Sequence, residues 1–175
     1  VIVFGGLIAC SWQAEEYIVK EGPPREFDGE NLHKYPRFTV EGVVFKVVLR
    51  GAVEGIHRGN GPFAVSISAW QEASAKADVR IMDISVKDST GKEFSFIDSD
   101  SLPIKFDFKK YFGPSGCRWA TWASAHKITS SPADSENVIV ILNVKVRSGK
   151  TAQQKELKFH FAPQVRSGNI KWPSV

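Results

Sequence analysis

The chain has 175 residues, 42% of them hydrophobic, with a net charge of +4, two Cys and a single Met, Met82. That is enough apolar material for a packed core and sets aside global disorder. Two Cys build neither a disulfide-dense miniprotein nor a four-Cys zinc site, and no apolar run reaches the ~18 residues of a membrane-spanning helix.

The charge is split. Residues 1–100 carry 11 Lys and Arg against 15 Asp and Glu, a balance of −4, while residues 101–175 carry 12 against 4, a balance of +8. A basic half attracts phosphate, anionic lipid or an acidic partner. It also fits an ordinary solvated surface. Lys105, Lys109, Lys110, Tyr111, Phe112 and Arg118 form the densest cationic-aromatic stretch and are the candidate binding patch. Nucleic-acid binding usually takes more positive charge than this, so none is expected.

In chain order, residues 1–9 read Val-Ile-Val-Phe-Gly-Gly-Leu-Ile-Ala, without a charge, and Cys10 and Ser11 follow. Leu7-Ile8-Ala9-Cys10 resembles the lipobox of bacterial lipoproteins. That resemblance covers only these ten or so residues. It implies a lipid on the Cys10 thiol, cleavage just before it, and residues 1–9 as a signal-peptide remnant. It also implies an address at the bacterial cell envelope, with Ser11 suiting the outer membrane facing the periplasm; an extracellular address is the alternative. The bland reading is a buried N-terminal strand with Cys10 as a small core residue.

Residues 11–35 read as a linker or irregular lead-in, with Gly22-Pro23-Pro24 as a breaker and Tyr17-Ile18-Val19 as a short strand. Gln13, Glu15 and Glu16 would serve as a polar tether. Residues 36–175 read as the folded domain. Phe38 and Val40 are apolar, then the phase flips to Val43, Phe45, Val47 and Leu49, which suggests a β-bulge at Glu41-Gly42. The Gly-rich stretch from Gly51 to Gly61 reads as a loop, with His57-Arg58 as an anion-binding option.

Alternation resumes at Phe63, Val65, Ile67 and Ala69, and again at Met82, Ile84 and Val86. Asp88-Ser89-Thr90-Gly91-Lys92 predicts a hairpin turn into Phe94 and Phe96. Ile104, Phe106 and Phe108 alternate with Lys105, Asp107 and Lys109. Val138, Val140, Leu142, Val144 and Val146 make the cleanest apolar face, and Ile139 and Ile141 opposite them mark a central strand. Ser148-Gly149-Lys150 turns it towards Leu157, Phe159 and Phe161, with Lys158 and His160 facing out.

One stretch breaks the pattern. Trp119, Trp122, Ala123 and His126 fall at helical spacing after Gly113-Pro114-Ser115-Gly116, which predicts one short helix near 119–126. Gln71 to Ala77 suggests a second. Seven clear strands and one doubtful one, joined by short turns, give an all-β fold: an antiparallel two-sheet β-sandwich, immunoglobulin-like or transthyretin-like. The antibody-type Cys…Trp…Cys spacing is absent.

No phosphate loop, dinucleotide fingerprint, nucleophile elbow or metalloprotease helix occurs. The four His show no zinc spacing, and no cofactor or metal is expected. Asp98-Ser99-Asp100-Ser101 offers oxygen ligands, but Pro103 and Lys109 stand where an EF-hand loop needs Gly and Glu. Absence of an Asn-x-Ser/Thr sequon weakly disfavours a eukaryotic secreted glycoprotein.

Three functional readings follow. The first is a non-enzymatic envelope lipoprotein, a binding or assembly module held at the membrane by Cys10, with a protein or anionic envelope partner. The second is a subunit of a larger assembly that donates residues 1–9 as a strand. The third is a hydrolase or transferase using Cys117 with His126, since a thiol beside a base is what nucleophilic catalysis needs. A structural Cys117 is the plainer expectation.

Overall fold

A computed structural model describes residues 11–54, 57–94, 101–113, 115–128 and 137–169, with the side chains of 11–15, 52–62, 125–127 and 165–169 left aside. Among the described residues, ten strands form two five-stranded sheets. The first, sheet A, has the order β1 (Ser11–Glu21), β10 (Thr151–Asn169), β9 (Val138–Ser148), β5 (Asp78–Asp88) and β6 (Ile104–Lys105). The second, sheet B, has the order β2 (Thr39–Val40), β3 (Val43–Glu54), β4 (His57–Gln71), β8 (Arg118–Ile128) and β7 (Lys109–Lys110). All the ladders between these strands are antiparallel. The chain is an all-β two-sheet sandwich, as the alternation predicts.

The core lies between the sheets and takes one face of each strand. Val43, Phe45, Val47 and Leu49 of β3 meet Phe63, Val65, Ile67 and Ala69 of β4 and the Val138–Val146 face of β9. β9 sits between β5 and β10, in line with the apolar residues on both its faces. Partner sizes alternate in the ladder: Phe45 lies opposite Ala69 and Leu49 opposite Val65. Such large-small pairing fills the interlayer without voids.

The turns are sequence-encoded. At 88–92, the Asp88 carboxylate accepts from the Thr90 and Lys92 amides, both at 2.9 Å, and from the Thr90 hydroxyl at 2.6 Å. Phe94 N–H then donates to Val86 O at 2.8 Å, which closes the expected hairpin. The β9–β10 hairpin turns through Gly149, φ 59°.

Several expectations change. Glu41-Gly42 is not a bulge but the loop of a two-residue hairpin, with Val40 opposite Val43 and φ of 46° and 76°. Such a turn needs positive φ and flips the strand phase just as a bulge would. A real bulge sits elsewhere, between Ile81 and Asp83. It pushes Met82, expected in the core, to the surface (36% exposed), and Ile81 is buried in its place. Gly51–Gly61 is no loop as a whole: β3 and β4 run into it as far as Glu54 and from His57. The strand expected at Tyr17-Ile18-Val19 spans all of Ser11–Glu21, so the would-be tether residues Gln13, Glu15 and Glu16 lie in β1. Glu72 to Ala75 is a turn rather than a helix, closed by Ala75 N–H to Glu72 O at 3.1 Å.

The helix near 119–126 is likewise absent; those residues belong to β8. The reason is that sheet B is covered on its outer face at Trp119 as well as on its core face. Trp122 packs against the main core, while Trp119 packs against a second cluster on the outer face. Tryptophans three apart can mark one helix stripe or two faces of a strand, and pairing of β8 with β4 decides for the strand.

Candidate functional site

The outer face of sheet B carries a small second core. Val44, Trp70 and Trp119 stand in one cross-strand row, because Val44 pairs with Trp70 and Trp70 with Trp119. Phe27, Leu32 and Tyr35 from the 22–38 segment cover it. Phe27 meets Trp70 edge-on at 5.8 Å, and Trp70 stacks on Trp119 at 5.8 Å. The covering segment approaches so closely that a Cβ on Gly29 would lie 2.7 Å from the Trp70 ring, so only glycine fits there.

Lys46 anchors this cover. It lies two pairs along β3 from Val44, on the same face, is only 9% exposed, and donates from Nζ to Phe27 O at 2.6 Å and Arg25 O at 3.1 Å. Its ammonium also lies 5.6 Å from the Trp70 ring centre, a cation–π contact. Burial, then Arg50, lowers its pKa from the ordinary 10.5, against the opposing pull of Asp28 and Glu26.

The 111–117 hairpin joins β7 to β8 on this side. Tyr111 N–H donates to Cys117 O at 2.8 Å, and Gly116 N–H to Gly113 O at 3.2 Å. The Tyr111 ring turns inward, edge-on to Trp70 at 4.9 Å. A Cβ on Gly113 would sit 2.0 Å from that ring, so this glycine makes room for Tyr111. Ser115 Oγ donates to Asp28 O at 3.2 Å, tying the hairpin to the covering segment. With Tyr111 turned in, Phe112 is left 92% exposed.

The structure therefore divides the predicted patch. Lys109, Lys110 and Phe112 stay together as an exposed basic-aromatic tip at the edge of sheet B. Tyr111 is half-buried and serves the aromatic cluster. Arg118 is a brace: its guanidinium donates to Ala75 O at 3.2 Å and Phe108 O at 3.0 Å. Lys105 belongs to the other sheet, on β6.

Cys117 is a buried free thiol, 6% exposed. Its Sγ donates to Gly29 O at 3.3 Å, so it helps hold the covering segment. His126 lies in β8 nine residues on, roughly 30 Å along an extended strand. The two are not a catalytic pair. Among the described residues, no group of three or more His, Cys, Asp or Glu side chains is arranged to hold a metal ion. Cys10, residues 1–9, Phe96 and the Asp98–Asp100 oxygens lie outside the described residues, as do the His57, Arg58 and His126 side chains. His160, expected to face out, is half-buried.

Sequence reasoning missed a further surface. On the outer face of sheet A, Arg80 pairs with Lys105 on one side and with Lys145 on the other. Arg147 lies two pairs along, opposite Asp78. A shallow cavity of about 100 Å³ lies among Asp78, Arg80, Met82, Lys145 and Arg147. No local signal announces this row, because its members come from three strands far apart in sequence. No family model, curated protein or solved structure matches the chain.

Proposed function

We propose that the chain is a non-enzymatic binding module of the bacterial cell envelope, docking a partner through the tip of the 111–117 hairpin. The observation that carries this reading is Phe112. It is 92% exposed, with exposed Lys109 and Lys110 just before it. Its hairpin is held by the Tyr111 ring, the Cys117 thiol and the Ser115 hydroxyl. A large apolar side chain held in solvent on a fixed support loses little entropy on docking, which is how binding hot spots work.

The envelope address rests on Leu7-Ile8-Ala9-Cys10, immediately ahead of β1. Ser11 pairs with Asn169, at the far end of β10 from the Thr151 turn. That is roughly 60 Å of strand from the end of the sandwich that bears the hairpin. A lipid on Cys10 would hold the Ser11 end at the bilayer and aim Phe112 away from it. The partner of Phe112 is then a protein with an acidic, apolar pocket rather than the same membrane.

Two measurements test this. Intact mass of the chain expressed in bacteria with its own N-terminal segment should show a diacylglycerol-bearing Cys10, lost in Cys10→Ser; an unmodified thiol removes the envelope address. A photo-crosslinker at position 112 in cells should give a discrete adduct that disappears with Lys109→Glu/Lys110→Glu. The same adduct from a crosslinker at Lys92, an exposed residue of the 88–92 turn, would remove the docking tip.

A further inference from the structure

The hairpin that carries Phe112 begins on the last strand of sheet B. In the order β2-β3-β4-β8-β7, β7 has β8 on one side and, among the described residues, no strand on the other. The register fixes which backbone groups that open edge offers. Tyr111 N–H donates to Cys117 O at 2.8 Å, so Tyr111 and Cys117 form a hydrogen-bonded pair. Pairs in an antiparallel ladder alternate, so Lys110 and Arg118 are a non-hydrogen-bonded pair and Lys109 and Trp119 a bonded one. The N–H and C=O of Lys110 therefore point away from β8, to the open edge. Lys110 is exposed, and the exposed Phe112 lies two residues on.

The charge along this edge is mostly of one sign. Between residues 105 and 118, Lys105, Lys109, Lys110 and Arg118 stand against Asp107 alone. Asp107 shares its cleft with Lys76 and Lys105. Glu30 and Glu72 gather with Ser115 and Cys117 on the far side of β8, since Glu72 follows Gln71, the β4 partner of Arg118. The Arg118 guanidinium is taken up by the Ala75 and Phe108 carbonyls. An incoming strand therefore meets Lys109 and Lys110. Lysines on an edge keep unsuited strands away. Two copies of this chain paired here antiparallel would set lysine against lysine, which destabilises a ladder, so a second copy is a poor occupant.

Resting on the docking role proposed for Phe112, we infer that the partner presents an extended acidic strand that adds to the open edge of β7. The residue facing Lys110 exchanges two main-chain hydrogen bonds with it, as in strand addition elsewhere. The added strand runs antiparallel, like every ladder of sheet B. In its N-to-C order, the residues facing Phe112, Tyr111, Lys110 and Lys109 are apolar, any, acidic and acidic. Opposed residues share a face, so each carboxylate meets its own lysine and the apolar residue meets the Phe112 ring.

The test is calorimetric titration of the full chain, at low ionic strength, with a short peptide carrying Leu-Thr-Glu-Glu at its centre. Two control peptides carry the reversed order Glu-Glu-Thr-Leu, or the original order with the first Glu N-methylated. The plain peptide should bind, and each control should bind about tenfold more weakly. Lys110→Gln, which removes only the charge, should weaken the plain peptide up to about fivefold. Lys110→Pro should abolish binding, because it also removes the outward N–H. That N–H makes no bond within the sheet, so both variants should keep the wild-type circular dichroism spectrum. The photo-crosslink from position 112 in cells should likewise vanish in Lys110→Pro. The inference is overturned if the plain peptide does not bind, if either control binds as tightly, or if Lys110→Pro behaves like Lys110→Gln. A crosslink that survives Lys110→Pro removes the added strand and leaves Phe112 as the docking residue. Absence of any discrete crosslink from position 112 removes both.

Discussion

Lys46 Nζ reaches 2.6 Å from the carbonyl oxygen of Phe27, a buried charge pinning an irregular segment to the outer face of a sheet. The same ammonium also takes the Arg25 carbonyl at 3.1 Å. Truncation to alanine leaves two acceptors without their donor. Lys46→Ala should therefore lose about 2 kcal/mol of stability in urea unfolding, whereas Lys46→Met, which keeps the aliphatic stem over Trp70 and removes the buried charge, should lose less. Equal losses would show that packing alone holds the segment.

The same lysine sets a pH dependence. Its folded pKa is lowered from 10.5, chiefly by burial and next by Arg50. Between the lowered value and 10.5, the unfolded chain binds a proton that the folded chain has released. Unfolding free energy from this group therefore rises with pH across that window. The stability difference, wild type minus Lys46→Met, should climb as pH approaches 10.5, other groups cancelling between the two proteins. A flat or falling difference contradicts the shift.

Gly113 is predicted to be intolerant of a side chain. Alanine there puts a methyl 2.0 Å from the Tyr111 ring, which must leave its place against Trp70. Gly113→Ala should cost about 1–3 kcal/mol, as overpacking does, and change the near-ultraviolet dichroism of the Trp cluster. An unchanged spectrum would mean that the ring is not fixed by the hairpin.

Cys117 should behave as a structural thiol. In a Cys10→Ser background it should react slowly with an aromatic disulfide reagent in the native state and fast in urea, because its Sγ is buried and donates to Gly29 O. Rapid native labelling would reopen a chemical role. Cys117→Ser keeps a donor for that carbonyl and should fold.

Removing a member of the sheet A row should stabilise the protein. Lys145→Thr takes away a repulsion directly opposite Arg80 and adds a residue suited to strands. The gain should be about 0.2–1 kcal/mol at low salt and shrink as salt is added. A loss of stability would mean that Lys145 is held for structural reasons.

Much of the sandwich was legible because β3, β4 from Phe63, β9 and the middle of β10 (Leu157–Phe161) alternate cleanly and the turns at 88–92 and 148–150 carry their own chemistry. What was hidden has physical causes. The two-residue turn at Glu41-Gly42 and the bulge at Met82 each shift strand parity, and parity alone does not say which is which. β8 hid its nature because Trp119 turns to the outer cluster and Trp122 to the main core, so the two tryptophans read as one helical stripe. The candidate patch is divided because Lys105 and Lys109, four residues apart, belong to different sheets: the chain crosses from β6 to β7 between them. The row of Lys105, Arg80 and Lys145 was invisible for the opposite reason, since only pairing brings it together.

The pairing of Ser11 with Asn169 has a practical side. Ser11 and Asn169 lie at the same pole of the molecule, so a bead or a dye attached at either stays clear of Phe112. A single-molecule pull between these two points would unzip β1 from β10 one rung at a time, rather than shearing the sheet, and should yield at low force.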